Sequence, residues 1–351
     1  MIEFYKVTSQ ELEFWLKAEG EPLFRKKQIF DWVYQRSVTD WDLMTNLSTE
    51  LRQKLKSNFR LSTMELVRES ESDDGETTKF LWRLREGTYV ESVLIRSDKR
   101  RTVCVSSQVG CPARCAFCAS GQKGFVRNLT SFEIVEQIIQ INQYLAEQGE
   151  RVTHVVYMGM GEPLKNYNAV VASIRQISHE EMLNLSQRRI TVSTVGIIEG
   201  IRRLTKENMQ VNLVFSLHAP NQQVRKKIIP YARKYPLDEI IDGIEEYARH
   251  TKRNATYEYI LIEGINDELK HADELCELLK GKQCAVNLIP YNPVPGVRLK
   301  RPKTKAIKHF MYILRKNRLT VTCRYTKGDD IAAACGQLAL QEEIECDQKA
   351  S

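Results

Sequence analysis

Apolar positions recur at two periods along this chain, and the period changes twice. Up to about residue 60 the spacing is helical. Thr8 and Glu11 make a capping box ahead of Leu12, Trp15 and Leu16, and Gly20 ends that helix. Pro22 opens a second helix with Phe24, Ile29, Phe30 and Val33 turned inward, and Ser48 caps a third carrying Leu51 and Leu55. Residues 61–100 switch to the alternation of strands. Phe80, Trp82 and Leu84 alternate with polar residues between the turn signals Asp73-Asp74-Gly75 and Glu86-Gly87, so hairpins are expected. The next strand, Tyr89–Ile95, is apolar on both faces except for Glu91 and Ser92. Glu91 shares a face with Tyr89, Val93 and Ile95, where a carboxylate tends to be raised in pKa and to have a task. The residues alone favour a plainer reading, an edge strand with Glu91 turned to water.

From Thr102 strands and helices alternate. Strands are expected at 102–106, 153–158, 189–194, 211–217, 255–262 and 284–290, and helices at 131–147, 168–178, 197–206, 237–250, 268–280 and 303–317. Sixfold β/α alternation implies a parallel sheet with right-handed crossovers. Six units are too few for a closed eight-stranded barrel. The expected fold is therefore α/β, an open partial (β/α)6 barrel with its active site at the carboxyl ends of the strands. A last strand, Thr320–Tyr325, leads into Gly328-Asp329-Asp330 and a small-residue segment holding Cys335. The expected organisation is a helical accessory domain over 1–60, a β extension over 61–100, the barrel with its C-terminal loop over 101–340, and a polar tail over 341–351.

Short polar residues and glycines recur where the strands should empty onto one face. After the second strand comes Met158-Gly159-Met160-Gly161-Glu162-Pro163, after the third Ser193-Thr194-Val195-Gly196, at the fourth Ser216-Leu217-His218, and after the sixth Tyr291-Asn292-Pro293. Each alone reads as a turn or a structural residue; together, in register with the alternation, they read as a ligand site. After the first strand stands Cys111-Pro112-Ala113-Arg114-Cys115-Ala116-Phe117-Cys118. Structural zinc sites take four ligands, commonly as paired C-x2-C motifs. Here a tight trio has no fourth Cys or His nearby, which suits a four-iron cluster with one open iron. The spacing resembles the signature of the radical S-adenosylmethionine (SAM) enzymes, whose open iron chelates the amino and carboxylate groups of SAM.

Charge changes the picture in one place. The net charge is +7, and Val297–Lys327 carries eleven Lys/Arg and no acid. An acid-free run of that length points to a phosphate-facing surface rather than a merely solvated helix. The basic residues of the first 60 read equally as RNA contacts or as the solvated surface of a packing domain. Nine cysteines form no even framework, and no signal segment or membrane-length apolar stretch occurs, so a cytoplasmic chain with reduced thiols is expected. Cys276, Cys284, Cys323 and Cys346 read as plain core or tail residues.

Cys104–Cys111, the trio, Met158–Pro163, Ser216–His218 and the late Ala333-Ala334-Cys335-Gly336-Gln337-Leu338 closely resemble the RlmN/Cfr family of radical SAM RNA methyltransferases, over nearly the whole chain. Met158–Pro163, Leu217–Pro220 and Tyr291–Gly296 are closer to the RlmN branch. The chain departs from the family at Ala332, where members usually carry Asp.

The resemblance implies the chemistry. Cys111, Cys115 and Cys118 would hold a [4Fe-4S] cluster. Gly161, Glu162, Ser193, Ser216, Leu217, His218 and Asn292 would bind SAM, with Gly161 and Glu162 at the amino group of SAM. Two SAM molecules would be used per turnover: one to methylate Cys335, one to give a 5′-deoxyadenosyl radical that takes a hydrogen from that methyl group. The carbon radical adds to adenine, which is electrophilic at the carbon concerned and closed to direct SN2 methylation. Glu91 would accept a proton, and Cys104 would release the RNA by forming a transient disulfide with Cys335. The implied substrates are 23S rRNA at the peptidyl-transferase centre and the adenine 3′ of the anticodon in some tRNAs, methylated at carbon 2. The implied partner is a reductant such as flavodoxin, with the enzyme acting as a monomer. The rival readings are Cfr-like methylation at carbon 8 and a non-catalytic iron–sulfur RNA-binding protein.

Overall fold

A computed structural model describes residues 1–324 and 328–338. In the N-terminal region β1 (Ile2–Glu3) is followed by helices α1 (Ser9–Ala18), α2 (Phe24–Phe30) and α3 (Thr49–Asn58), and β2 (Phe59–Arg60) pairs in parallel with β1. The expected caps are in place: Glu11 N–H donates to Thr8 Oγ1 at 3.2 Å while Glu11 Oε2 accepts from Thr8 N–H at 2.7 Å, and Ser48 Oγ accepts from Leu51 N–H. Phe4 centres the core, edge-on to Phe30, Trp41 and Phe59. Phe24 departs from expectation. It is 59% exposed, because it opens α2 on the outer side, and Arg25 lies over its ring.

Next come β3 (Met64–Glu71), β4 (Thr77–Leu84), β5 (Tyr89–Ser97) and β6 (Arg100–Cys104), joined as an antiparallel meander. β6 is also the first parallel strand of the barrel. A small hairpin, β7 (Gln108–Gly110) and β8 (Phe125–Asn128), brackets the cysteine loop and the one-turn helix α4 (Ala119–Gln122). The alternation then runs α5 (Ser131–Ala146), β9 (His154–Tyr157), α6 (Tyr167–Ser178), β10 (Ile190–Thr194), α7 (Ile198–Lys206), β11 (Asn212–Ser216), α8 (Gln222–Ile228), α9 (Leu237–Thr251), β12 (Ala255–Leu261), α10 (Leu269–Leu278), β13 (Cys284–Pro290), α11 (Thr304–Lys316) and β14 (Thr320–Cys323). The ten-stranded sheet has the order β14-β13-β12-β11-β10-β9-β6-β5-β4-β3. It is parallel from β14 to β6 and does not close among the described residues.

This topology overturns the plain reading of Glu91. Because β6 pairs with β5, Glu91 lies on an interior strand, is 3% exposed, and meets Lys79 Nζ at 3.3 Å. On the opposite face the sheet is tied to α5. Gln137 accepts from Ser92 Oγ and Ser106 N–H and donates to Ser106 O, fixing the exit of β6. Glu136 beside it accepts from Thr63 N–H and Ser62 Oγ, anchoring the link from the N-terminal helices. Lys26 adds an ion pair to Glu181 beyond α6. The main hydrophobic core runs from Phe4 through to Leu338 of the C-terminal loop. No helix among the described residues is long and apolar enough to cross a membrane. The end of the strand expected at Thr320–Tyr325 and the polar tail lie outside the described residues.

Candidate active site

The cysteine loop is built by backbone bonds. Cys111 N–H donates to Gly124 O at 2.7 Å, so the hairpin closes the loop at its start. Ala116 N–H donates to Ile228 O at the end of α8, and Ala119 N–H to Gly336 O. The second bond pins the loop carrying Cys335 directly onto the loop carrying the trio. Ser120 Oγ to Leu338 O repeats the tie at 2.6 Å. Burial pushes all three thiols up, Cys111 to about 12, so ligating a metal there must release protons.

An open cavity lies over the carboxyl ends of the strands, lined by Cys111, Cys115, Cys118, Gly161, Glu162, Ser193, Ser216, His218, Glu258 and Cys335. Gly161 has φ +105, and a side chain there would meet the side chain of Gln108, so glycine lets β9's exit approach β7. Each oxygen of Glu162 accepts a backbone N–H, from Leu164 and Val195, which staples the ends of β9 and β10 together. Burial raises this carboxyl to about 7 despite those bonds and a further one from the Thr194 side chain. Ser193 and Ser216 hydroxyls meet at 3.1 Å. His218, at φ +57, accepts from Ile260 N–H on Nδ1. Burial, reinforced by the Arg225 charge, lowers its pKa to about 3. The ring is therefore neutral and carries its proton on Nε2, as a donor.

Two expected ligand residues sit elsewhere. Leu217 is fully buried in the core. It borders the site only through its backbone, which accepts from Arg225 Nε and donates to Glu258 O. Strand alternation turns its side chain from the face that Ser216 presents. Asn292 lines an adjoining groove instead, and donates through Nδ2 to Cys335 O at 3.2 Å.

That groove brings Cys104 and Cys335 together with Val93, Ile95, Thr102 and Arg324, and shares Met158, Ile289, Cys335 and Gly336 with the trio's cavity. Cys104 is buried, and burial followed by the nearby Cys335 pushes its thiol to about 12. Cys335 is exposed along the groove, yet the surrounding protein and then Glu258 raise its thiol, opposed by Arg324, which hydrogen-bonds the sulfur. Glu91 lies in a third pocket, with Arg68, Lys79 and the backbone turn Asp330–Ala332 of the same C-terminal loop. That loop is held firmly. Gln337 accepts from Ala334 N–H and donates to Pro293 O and Asp329 Oδ1, and Ala333 N–H donates to Gly328 O.

The comparisons with known proteins agree with this geometry. The family model described as "Ribosomal RNA large subunit methyltransferase N-terminal domain" matches residues 2–61, and that of the "Radical SAM superfamily" matches residues 105–276. A probable dual-specificity RNA methyltransferase RlmN 2 of Protochlamydia amoebophila is 67% identical over 333 residues, 95% of this chain and 93% of that protein. The chain belongs to the RlmN family of radical SAM methyltransferases. A second RlmN, of Lysinibacillus sphaericus, is 47% identical over 97% of this chain and 90% of its own length. The crystal structure of a radical SAM methyltransferase from Sphaerobacter thermophilus superposes with a TM-score of 0.93 at 45% identity, covering 96% of this chain and 99% of that one.

Radical SAM family membership implies a [4Fe-4S] cluster and SAM, and the residues fit both. Among the described residues no three His, Cys, Asp or Glu side chains converge on one point as a single metal ion needs. The three thiols instead rim the open cavity at the strand ends. Soft thiolates are the right donors for a cluster. The departure at Ala332 also has a physical reading. Ala332 sits at φ +51, a conformation that Asp tolerates far better than Ala, so the family's usual residue is the less strained one.

Two residues of the site escape the sequence reading, Glu258 and Arg225. Glu258, 6% exposed on β12, faces the cavity and meets Arg324 at 3.7 Å. A lone carboxylate inside the apolar run Tyr257–Ile262 is its signal, the same one that marks Glu91. Arg225 lies on α8, between Val224 and Lys226, and braces the strand ends from below.

Proposed function

We propose that this protein methylates carbon 2 of an adenine in 23S ribosomal RNA, and of the adenine 3′ of the anticodon in some tRNAs, from SAM in the cytoplasm. The observation that carries the reading is the shared groove: Cys335 lies where the trio's cavity and the Cys104 groove meet. When bound, the cluster and SAM supply methyl groups, two SAM per turnover, and a 5′-deoxyadenosyl radical, given one electron from a partner such as flavodoxin. The protein's own part is to hold one sulfur at that junction. Cys335 carries the methyl group there and bonds through it to the adenine; Cys104 sulfur then attacks the Cys335 sulfur, the carbon–sulfur bond breaks with its electron pair going to the product carbon, and the resulting Cys104–Cys335 disulfide is reduced again by an external reductant. Glu91 takes the proton lost from the adenine ring. Arg324 favours the thiolate form of either cysteine. The chain acts as a monomer.

Mass spectrometry of RNA incubated with the loaded enzyme, SAM and reductant tests the reading. The expected product is 2-methyladenosine, and 8-methyladenosine would refute it. In Cys104→Ala the covalent step still occurs but release fails. We expect protein crosslinked to RNA on denaturing gels, with turnover reduced to one or fewer; normal turnover with no crosslink would remove Cys104 from the release step.

The RNA would lie over the barrel mouth. Lys26, Arg36, Lys54 and Lys56 of the N-terminal helices are each paired with an acid of this chain, whereas Arg298, Lys300, Lys303, Lys305 and Lys308 are exposed. This difference favours the second group as the phosphate contact, with Lys327 of the run outside the described residues. Replacing Lys303, Lys305 and Lys308 by alanine should reduce the slope of log affinity against log salt by about 2 to 3, near 0.7–0.9 per lost phosphate contact. An unchanged slope in a binding titration would place the footprint elsewhere.

A further inference from the structure

In the proposed reaction an electron enters while SAM fills the cavity and RNA covers the barrel mouth. It has to cross the cysteine loop from the side that faces away from the cavity. Electron transfer weakens steeply with distance, so the donor must sit close to that loop. Two surface elements are bonded to the loop directly. Cys111 N–H donates to Gly124 O at 2.7 Å, and Gly110 is the register partner of Phe125 on β8. Phe125 and Val126 are 46% and 61% exposed. Ala116 N–H, next to Cys115, donates to Ile228 O at 2.9 Å. Immediately before Ile228 on α8 stand Lys226 and Lys227, both exposed. Arg114 lies in the loop itself, exposed at φ +52, and its Nη2 is 3.8 Å from where a Cβ on Gly124 would stand. Lys123, beside Gly124, is exposed as well. None of these six side chains lines the cavity that the three cysteines rim.

The make-up of this face says what it suits. A surface that tracks RNA phosphates is cationic throughout, like the run at 298–308. Here two adjacent apolar side chains stand in water with cations around them, which is the composition of a small protein interface with a polar rim. Glu86 and Glu133, the acids that contact the hairpin, are both held by Arg127. The rim therefore draws an acidic partner and steers its approach. A patch of this size is enough, because redox encounters commonly bury less than about 1,200 Å².

We propose that the outer face of the cysteine loop, centred on Phe125 and Val126 and rimmed by Arg114, Lys123, Lys226 and Lys227, docks an acidic one-electron carrier protein of the flavodoxin type. The donor's anionic flavin hydroquinone gives up one electron to the cluster and becomes the neutral semiquinone, with no proton transferred. This rests on the trio holding a cluster and not on which adenine carbon is methylated. Iron content and reduction by dithionite test the former separately.

The experiment is stopped-flow absorbance of the loaded enzyme mixed with flavodoxin hydroquinone, and in parallel with dithionite at high salt, where its own charge is screened. Arg114→Glu combined with Lys123→Glu should lower the second-order rate constant with flavodoxin by about tenfold or more at low salt. Phe125→Ser combined with Val126→Ser should lower it by roughly threefold. The dithionite rate and the iron content should stay those of the wild type. Wild-type flavodoxin rates in both loaded double variants overturn the proposal. Weakened RNA binding in them with unchanged flavodoxin rates also overturns it, and makes the face an RNA contact instead. A second measurement needs no variant. Carbodiimide coupling of wild-type enzyme to flavodoxin, mapped by mass spectrometry, should join flavodoxin carboxylates to Lys123, Lys226 or Lys227. Links confined to Lys303, Lys305 and Lys308 overturn the assignment.

Discussion

Replacing Cys335 with alanine stops RNA methylation while the cluster stays whole. In the proposed reaction the methyl group passes through this sulfur, so its removal would delete the route and not merely a contact. The rate should fall by more than about 10⁴-fold, over about 5.4 kcal/mol at 1.36 kcal/mol per tenfold. The cluster should survive because the Cys335 loop supports the trio through main-chain atoms. Gly336 O accepts from Ala119 N–H, Leu338 O accepts from Ser120 Oγ, and Asn292 grips the carbonyl, not the thiol, of Cys335. Alanine keeps all of these. Methyl counting on RNA beside iron analysis checks it. Full cluster with full methylation would mean that the sulfur is a bystander.

The parts of this architecture that repeat are readable from the residues, and the parts fixed by tertiary pairing are not. Amphipathic helices such as α9 and α11 declare their period, and Thr8 and Ser48 declare where helices begin. The β7–β8 hairpin is short and mixes polar with apolar positions, so nothing local marks it, yet it closes the cysteine loop. Composition misleads at Glu91 because its burial depends on β6 joining β5, a fact of pairing and not of the strand's own residues. The trio, Gly161, Glu162, Ser193, Ser216 and His218 converge as their positions at strand ends imply. Leu217 and Asn292 do not line that cavity, one because alternation turns it inward, the other because the C-terminal loop claims it. Arg225 is hidden by its neighbours: flanked by Val224 and Lys226, it has the local look of a solvated helix face.

Gly110→Ala should cost the enzyme most of its iron. Gly110 precedes Cys111 and has φ +71, where an L residue carries a penalty of roughly 1–2 kcal/mol. The larger cost is steric. A Cβ there would overlap the carbonyl oxygen of Gly124 and lie 2.9 Å from its carbonyl carbon and 3.3 Å from Phe125 Cα. All three are backbone atoms, which cannot rotate away. The same Gly124 oxygen accepts the Cys111 N–H at 2.7 Å, so relieving the clash pulls out the bond that sets the first ligand. Gly20 is the control. It has φ +74 but nothing within 4 Å of where a Cβ would stand, so its alanine variant bears only the conformational strain. Gly20→Ala should lose about 1 kcal/mol of stability and no iron. Gly110→Ala should lose several kcal/mol, about 3 or more, in line with steric overpacking added to backbone strain. Its iron per chain should drop to less than roughly a third of wild type, since ligand geometry couples directly to metal retention. Iron analysis and thermal melts of the two variants side by side decide it. If Gly110→Ala holds a full cluster, the hairpin is not what fixes Cys111, and the three thiols are placed by the α8 and Gly336 contacts alone.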